Sequence, residues 1–191
     1  MPPRQGNLFR REQQLPDGFT YRRDFVTPDE EQVLLREIEA LSFGEVRMHG
    51  VAARRRVAQF GWSYSFDSQR LREATEVPAF LESLRERAAP LAGVTPAALS
   101  EALVTEYPPG APIGWHRDAP VFGTIVGVSL AAPCRFLLRH VSDGRRVEVA
   151  LESRSAYVLA GEARRDWQHH IPPVKLLRYS ITFRTLRRDP A

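Results

Sequence analysis

The sequence predicts an α+β domain built on a β-sandwich or jelly roll, and three observations carry the prediction. Two helical segments occupy the first half of the chain, the pattern changes to short strands from Ala102 onward, and a hairpin-type turn signal joins two of those strands. Helices first and closely spaced short strands afterwards describe a layered fold in which the strands make the body.

Each element has a local reason. Thr27-Pro-Asp-Glu-Glu31 offers an N-cap threonine, a proline at the first helical position and Glu30 to close a capping box, so a helix is expected over about 28 to 41. A second is expected over about 78 to 88, with Phe80, Leu81 and Leu84 on its buried stripe, and a very short third after Thr95-Pro96. Strands are expected over 103 to 107, 124 to 130, 135 to 141, 145 to 151, 155 to 159 and 176 to 186, with Ser142-Asp143-Gly144 as a hairpin turn. Residues 1 to 18 and 187 to 191 read as loose termini. There is no internal repeat, low-complexity tract or interdomain linker.

At 191 residues the chain is one domain, large enough to bury a core without disulfides or structural zinc. The single cysteine, Cys134, excludes an internal disulfide, fits a reducing cytosol and reads as a small buried hydrophobe. Met-Pro-Pro-Arg-Gln-Gly-Asn at the start has no apolar signal core, and no run approaches the roughly 18 apolar residues of a membrane span. A soluble cytoplasmic protein is the expectation. Net charge is +4 and the sequence pI about 9.7, with arginines clumped at Arg22-Arg23, Arg54-Arg55-Arg56, Arg164-Arg165 and Arg187-Arg188. Such clumps suit a polyanionic partner and are equally compatible with ordinary solubility.

Chemistry concentrates in two places. In Gly114-Trp-His-Arg-Asp118, His116 and Asp118 are two apart, so on extended backbone both side chains leave one face and can grip one metal ion. One more imidazole, from the adjacent His169 and His170, would complete two histidines and a carboxylate, the set that leaves coordination positions open in non-haem iron(II) oxygenases. In Arg178-Tyr-Ser-Ile-Thr-Phe-Arg184, Arg178, Ser180, Thr182 and Arg184 share one face and Tyr179, Ile181 and Phe183 the other. An amphipathic edge strand would have this pattern, and so would a strand whose arginine binds a dicarboxylate held on the metal. A third segment, Arg54 to Phe66, sets three arginines before Trp62, Tyr64 and Phe66 at period two. Phe66 reads as hairpin packing; Trp62 and Tyr64 beside cations suit a stacked nucleobase.

The stretch from Tyr107 to Arg184 resembles the AlkB family of Fe(II)/2-oxoglutarate-dependent dioxygenases. Tyr107-Pro-Pro-Gly110, Ile113-Gly-Trp-His-Arg-Asp118, Val128-Ser-Leu130, Gly161-Glu-Ala-Arg164, Trp167-Gln-His-His-Ile-Pro172 and Arg178-Tyr-Ser-Ile-Thr-Phe-Arg184 come in the family's order. The resemblance implies one domain over 1 to 191. Its core would be a double-stranded β-helix, or jelly roll, over about 100 to 186, with the N-terminal helices packed on one face. A β-hairpin substrate lid would span about 45 to 68. It implies Fe(II), 2-oxoglutarate and O2, with His116, Asp118 and His169 as ligands. His169 rather than His170 follows from the family pattern of His, any residue, Ile. His49 and His140 are then surface or structural, and Glu162 and Asp166 have no ligand role.

By the same resemblance Arg178 would hold the distal carboxylate of 2-oxoglutarate, Arg184 would brace the end nearer the iron, and Tyr107 would donate a hydrogen bond. Thr105 and Ser180 replace two asparagines of the better-known repair enzymes, and Pro120 stands where those often carry an acid. Arg54, Arg55, Arg56, Trp62 and Tyr64 would contact substrate, and Trp115 is grouped with them. The implied reaction is oxidative demethylation of N-alkylated bases in single-stranded DNA or RNA, by a monomer, releasing formaldehyde, succinate and CO2. The alternatives are the same chemistry on a methylated protein, and a catalytically silent nucleic-acid-binding jelly roll.

Overall fold

The computed structural model describes residues 14–48, 51–65 and 70–187. His49, Phe66 and the extreme termini lie outside them. The strands are β1 (Phe19–Arg22), β2 (Gly44–Met48), β3 (Val51–Phe60), β4 (Trp62–Ser65), β5 (Arg70–Glu73), β6 (Glu101–Tyr107), β7 (Ile113–His116), β8 (Phe122–Leu130), β9 (Cys134–His140), β10 (Arg146–Leu151), β11 (Ser155–Leu159), β12 (Trp167–Ile171) and β13 (Arg178–Leu186). The helices are α1 (Pro28–Glu39), α2 (Ala79–Leu91) and the short α3 (Gly161–Arg165), with a 3-10 turn at Pro96–Ala98.

Two antiparallel sheets face each other. The large one runs β1-β11-β8-β13-β6-β3-β2, the small one β10-β9-β12-β7, and β4-β5 is a separate hairpin. This is the jelly roll the sequence predicts. Helices α1 and α2 pack on the outer face of the large sheet: Leu34 and Ile38 of α1 and Leu81 and Leu84 of α2 share one core with Ala102, Val104, Val126, Val128, Ile181 and Phe183. A second core, with Phe136, Leu138, Trp167, Ile171, Ile125 and Leu159, fills the space between the sheets.

The capping box forms as read, with the Glu30 amide donating to Thr27 Oγ1 at 3.2 Å and the Thr27 amide to Glu30 Oε2 at 2.9 Å. β13 is not an edge strand. It lies between β8 and β6, and every residue from Arg178 to Arg184 is buried. Its apolar face meets the helices, so its cationic face is enclosed between the sheets rather than sent to solvent.

One expectation needs correction. Residues 16 to 18 are not loose, since Pro16 is buried, Asp17 O accepts from the Ala163 amide at 2.8 Å and Gly18 O from Ala160 at 3.0 Å. The four-residue β1, which these contacts introduce, is too short to stand out as a pattern. Within the segment expected as the lid, β3 pairs with β6 from Arg56↔Glu106 to Phe60↔Ala102, so β2 and β3 extend the large sheet. Among the described residues no helix is long and apolar enough to cross a membrane.

Gly127 shows how tightly the inner face is filled. A Cβ there would lie 2.3 Å from ring atoms of Tyr157, its cross-strand partner. Gly127→Ala is therefore expected to lower stability by about 1–3 kcal/mol through overpacking. Denaturant unfolding checks this, and an unchanged midpoint would mean that the Tyr157 ring yields freely.

Candidate active site

The local fold brings the metal motif together. β7 and β12 are neighbours, His116 pairs with His169 across them, and the two ring centroids are 4.1 Å apart. Asp118 follows just past the end of β7, with Oδ2 3.6 Å from His169 Nε2. One ligand atom from each of the three lies within 4.8 Å of the others. His116 Nδ1 is 2.9 Å from Gly114 O, a contact that requires its proton on Nδ1 and leaves Nε2 with a free lone pair.

Electrostatics tune the same set. Burial lowers the pKa of both histidines, that of His169 to about 3 with help from His116, so both imidazoles are neutral donors at physiological pH. Burial alone would raise Asp118, but the guanidinium of Arg184 above all, with that of Arg164, holds it well below the usual carboxylate range. Two neutral imidazoles and one ionised carboxylate fit a divalent transition metal with open coordination positions.

Behind these residues opens a cavity of about 610 Å³ between the sheets. Its floor is built from cross-strand pairs of β13 and β6, Arg178↔Tyr107 and Ser180↔Thr105, all four buried and all lining the cavity. Arg178 is 1% exposed; its Nε donates to Ser129 Oγ at 3.2 Å, its guanidinium lies 4.9 Å from the Tyr107 ring centre, and its buried Nη1 has no partner. Among the described residues it makes no ion pair. A buried guanidinium without a carboxylate is costly, and a dicarboxylate entering the cavity would satisfy it.

Arg184 is differently placed. Its Nη1 donates to both oxygens of Glu101 at 2.9 Å, and its Nη2 donates to Asp118 Oδ1 at 2.8 Å. It is engaged by two protein carboxylates and holds the candidate metal ligand, where sequence reasoning gave it a co-substrate carboxylate. Burial pushes Glu101 up, to about 7, against the pull of Arg184, while the two carboxylates raise Arg184 despite its own burial. Both Glu101 oxygens accept from the guanidinium, so the two form an ion pair.

Arg164 corrects a charge reading. Counted among surface clumps, it is buried, donating from Nε to Gly123 O and from Nη2 to the carbonyls of Asp118, Ala119 and Phe122 at 2.8–3.2 Å. It fixes the loop that carries Asp118 and Pro120.

The substrate-facing residues separate. Strand alternation sends Arg55 into the cavity wall beside Val57 and Gln59, and Arg54 and Arg56 to the opposite side. Arg56 is held bidentately by Glu106 at 2.9 Å, and Arg54 lies against the Gly110 turn. The arginine triplet therefore does not act as one patch. Tyr64 lines the cavity, near the Phe122 ring, whereas Trp62 is half-buried opposite Glu73 and does not. Trp115 borders the cavity but its ring packs on His170 at 5.1 Å and under Arg139 at 4.5 Å, on the far side of its strand from His116.

The remaining candidates have structural partners: His140 bonds Asp143, His170 bonds Ile113 O, Glu162 accepts from Trp167, and Cys134 is buried. Sequence reasoning missed Glu101, Ser129, Tyr157 and the role of Arg164. Tyr157 alternates onto the same face as Ser155, and that period-two position was the available signal.

The sequence profile of the 2OG-Fe(II) oxygenase superfamily matches residues 18–184. The chain is 32% identical over 161 residues to the mitochondrial alpha-ketoglutarate-dependent dioxygenase alkB homolog 7 of Bos taurus, covering 82% of this chain and 68% of that one. It is 29% identical over 206 residues to the alkylated DNA repair protein ALKBH8 homolog of Arabidopsis thaliana, covering 87% of this chain but only 58% of the relative's length. The solved structure of OsALKBH1 shares the fold, with a TM-score of 0.67 at 18% identity over 91% of this chain and 99% of that one. The chain thus belongs to the 2OG-Fe(II) oxygenase superfamily as an AlkB-like dioxygenase, and its cofactor and co-substrates are Fe(II), 2-oxoglutarate and O2.

Proposed function

We propose that the chain oxidatively demethylates an N-alkylated base presented in single-stranded nucleic acid, with His116, Asp118 and His169 as iron ligands and Arg178, Tyr107, Thr105 and Ser180 as the 2-oxoglutarate site. The carrying observation is the buried Arg178, its Nη1 without a partner, at the floor of a cavity that His116, Asp118 and His169 also line. Bound there, iron(II) with 2-oxoglutarate and O2 supplies the oxidising equivalents that convert an N-methyl group to a hydroxymethyl that leaves as formaldehyde, with succinate and CO2 as co-products. Arg178 neutralises the distal carboxylate, the Tyr107 hydroxyl can donate to it, and the apolar Ile113, Phe136 and Ile171 exclude water from the reacting end. Tyr64 would stack on the base and Arg55 would meet a phosphate. The name of the Arabidopsis relative supports a nucleic-acid substrate. Arg56 paired to Glu106 and Arg164 buried favour the second reading, the same chemistry on a methylated protein side chain.

The test is formaldehyde release by the anaerobically reconstituted Fe(II) protein given 2-oxoglutarate and O2, with methylated oligonucleotides and methylated peptides compared. Turnover of the oligonucleotide supports the proposal. Turnover of the peptide alone rejects it for the second reading. Tyr64→Ala should cost oligonucleotide affinity about 1–3 kcal/mol, and Trp62→Ala much less. Arg55→Ala should reduce the salt dependence by about 0.7 in slope, the share of one phosphate contact.

A further inference from the structure

Glu101 is fully buried at the start of β6, within the hydrogen-bonded ladder to β13, where an acidic side chain has no packing role. Both of its oxygens take the same nitrogen of Arg184, Nη1, at 2.9 Å. That leaves the Nη2 and Nε edge of the fork for Asp118, yet only Nη2 reaches it, at Oδ1 and 2.8 Å, while Nε is buried without a partner. The other oxygen, Oδ2, is the one directed at His169 Nε2, 3.6 Å away.

An unrestrained guanidinium beside a carboxylate prefers two parallel hydrogen bonds, one to each oxygen. Nothing in Asp118 itself prevents this. We infer that Glu101 is a positioning residue that anchors Arg184 by Nη1, so that Arg184 clamps one oxygen of Asp118 and leaves the other for the metal. Its negative charge also offsets the arginine, which would otherwise stand uncompensated beside a bound cation. This rests on the assignment of Asp118 as a ligand. It also accounts for the separate use of two arginines on one strand face: Arg184 is committed to protein carboxylates, and Arg178 is left for the co-substrate.

Co(II) binding to the protein without co-substrate, followed by its visible absorption and by calorimetry, tests the inference. Glu101→Gln keeps the shape and removes the charge and one acceptor; the wild type should bind Co(II) at least tenfold more tightly. Arg184→Met supplies the second arm, because without the fork Glu101 has nothing to restrain. In that background Glu101→Gln should leave Co(II) affinity unchanged and raise the melting temperature, since it removes a buried carboxylate without a partner. Wild-type Co(II) affinity in Glu101→Gln, or a further loss of affinity when Glu101→Gln is added to Arg184→Met, would overturn the inference. The second comparison decides the matter if the single Glu101 variant does not fold. Asp118→Ala separates the two failures: if it binds Co(II) as the wild type does, the ligand assignment falls and the inference with it.

Discussion

Alanine at His116, Asp118 or His169 is expected to abolish succinate formation, a loss larger than the roughly 10- to 100-fold that removal of an outer-shell partner costs a metal site. The three ligand atoms converge within 4.8 Å, and each side chain is set by its own contact: His116 by Gly114 O, Asp118 by Arg184, and His169 by its place on β12. Removing one leaves two donors, too few to hold the ion with its open positions correctly oriented. Co(II) titration beside the succinate assay checks the result. Full turnover in any one variant would remove that residue from the ligand set. Alanine at His170 serves as the control: its ring packs on Trp115 on the outer face, so turnover should persist at close to the wild-type rate.

How far the site could be read from sequence follows from how local its parts are. His116 and Asp118 sit two residues apart, and their shared face is a property of extended backbone alone. The separation of Arg178, Ser180, Thr182 and Arg184 from Tyr179, Ile181 and Phe183 is likewise local, although only the fold shows that both faces are enclosed. Partners distant in sequence were not legible. Glu101 and Arg184 are paired by the register of β6 on β13, which no local pattern encodes. Arg164 looked like a surface charge because its neighbour is one; its burial depends on the carbonyls of a loop more than 40 residues earlier. The arginine triplet is the instructive miss. Period two already divides Arg55 from Arg54 and Arg56, so the rule applied to Trp62 and Tyr64 would have split the cations as well.

Arg178 carries the other large expected effect. Arg178→Met should raise the 2-oxoglutarate requirement roughly 10- to 150-fold, the equivalent of a charge-assisted hydrogen-bond loss of about 1.5–3 kcal/mol. A bare loss of activity would not distinguish a carboxylate site from a damaged core, so the decisive readout is stability. In the wild type without co-substrate, Arg178 is buried, its Nη1 unpartnered, and its hydrogen-bonded neighbour is the neutral Ser129. Replacing an uncompensated buried charge by an apolar side chain of similar length relieves a desolvation cost. The variant should therefore melt no lower than the wild type when neither holds 2-oxoglutarate. Co-substrate should raise the melting temperature of the metal-loaded wild type, by mass action on the folded state, and should lose most of that effect on the variant. If Arg178→Met instead melts far lower and keeps the full 2-oxoglutarate shift, Arg178 is a structural ion and the dicarboxylate binds elsewhere in the cavity.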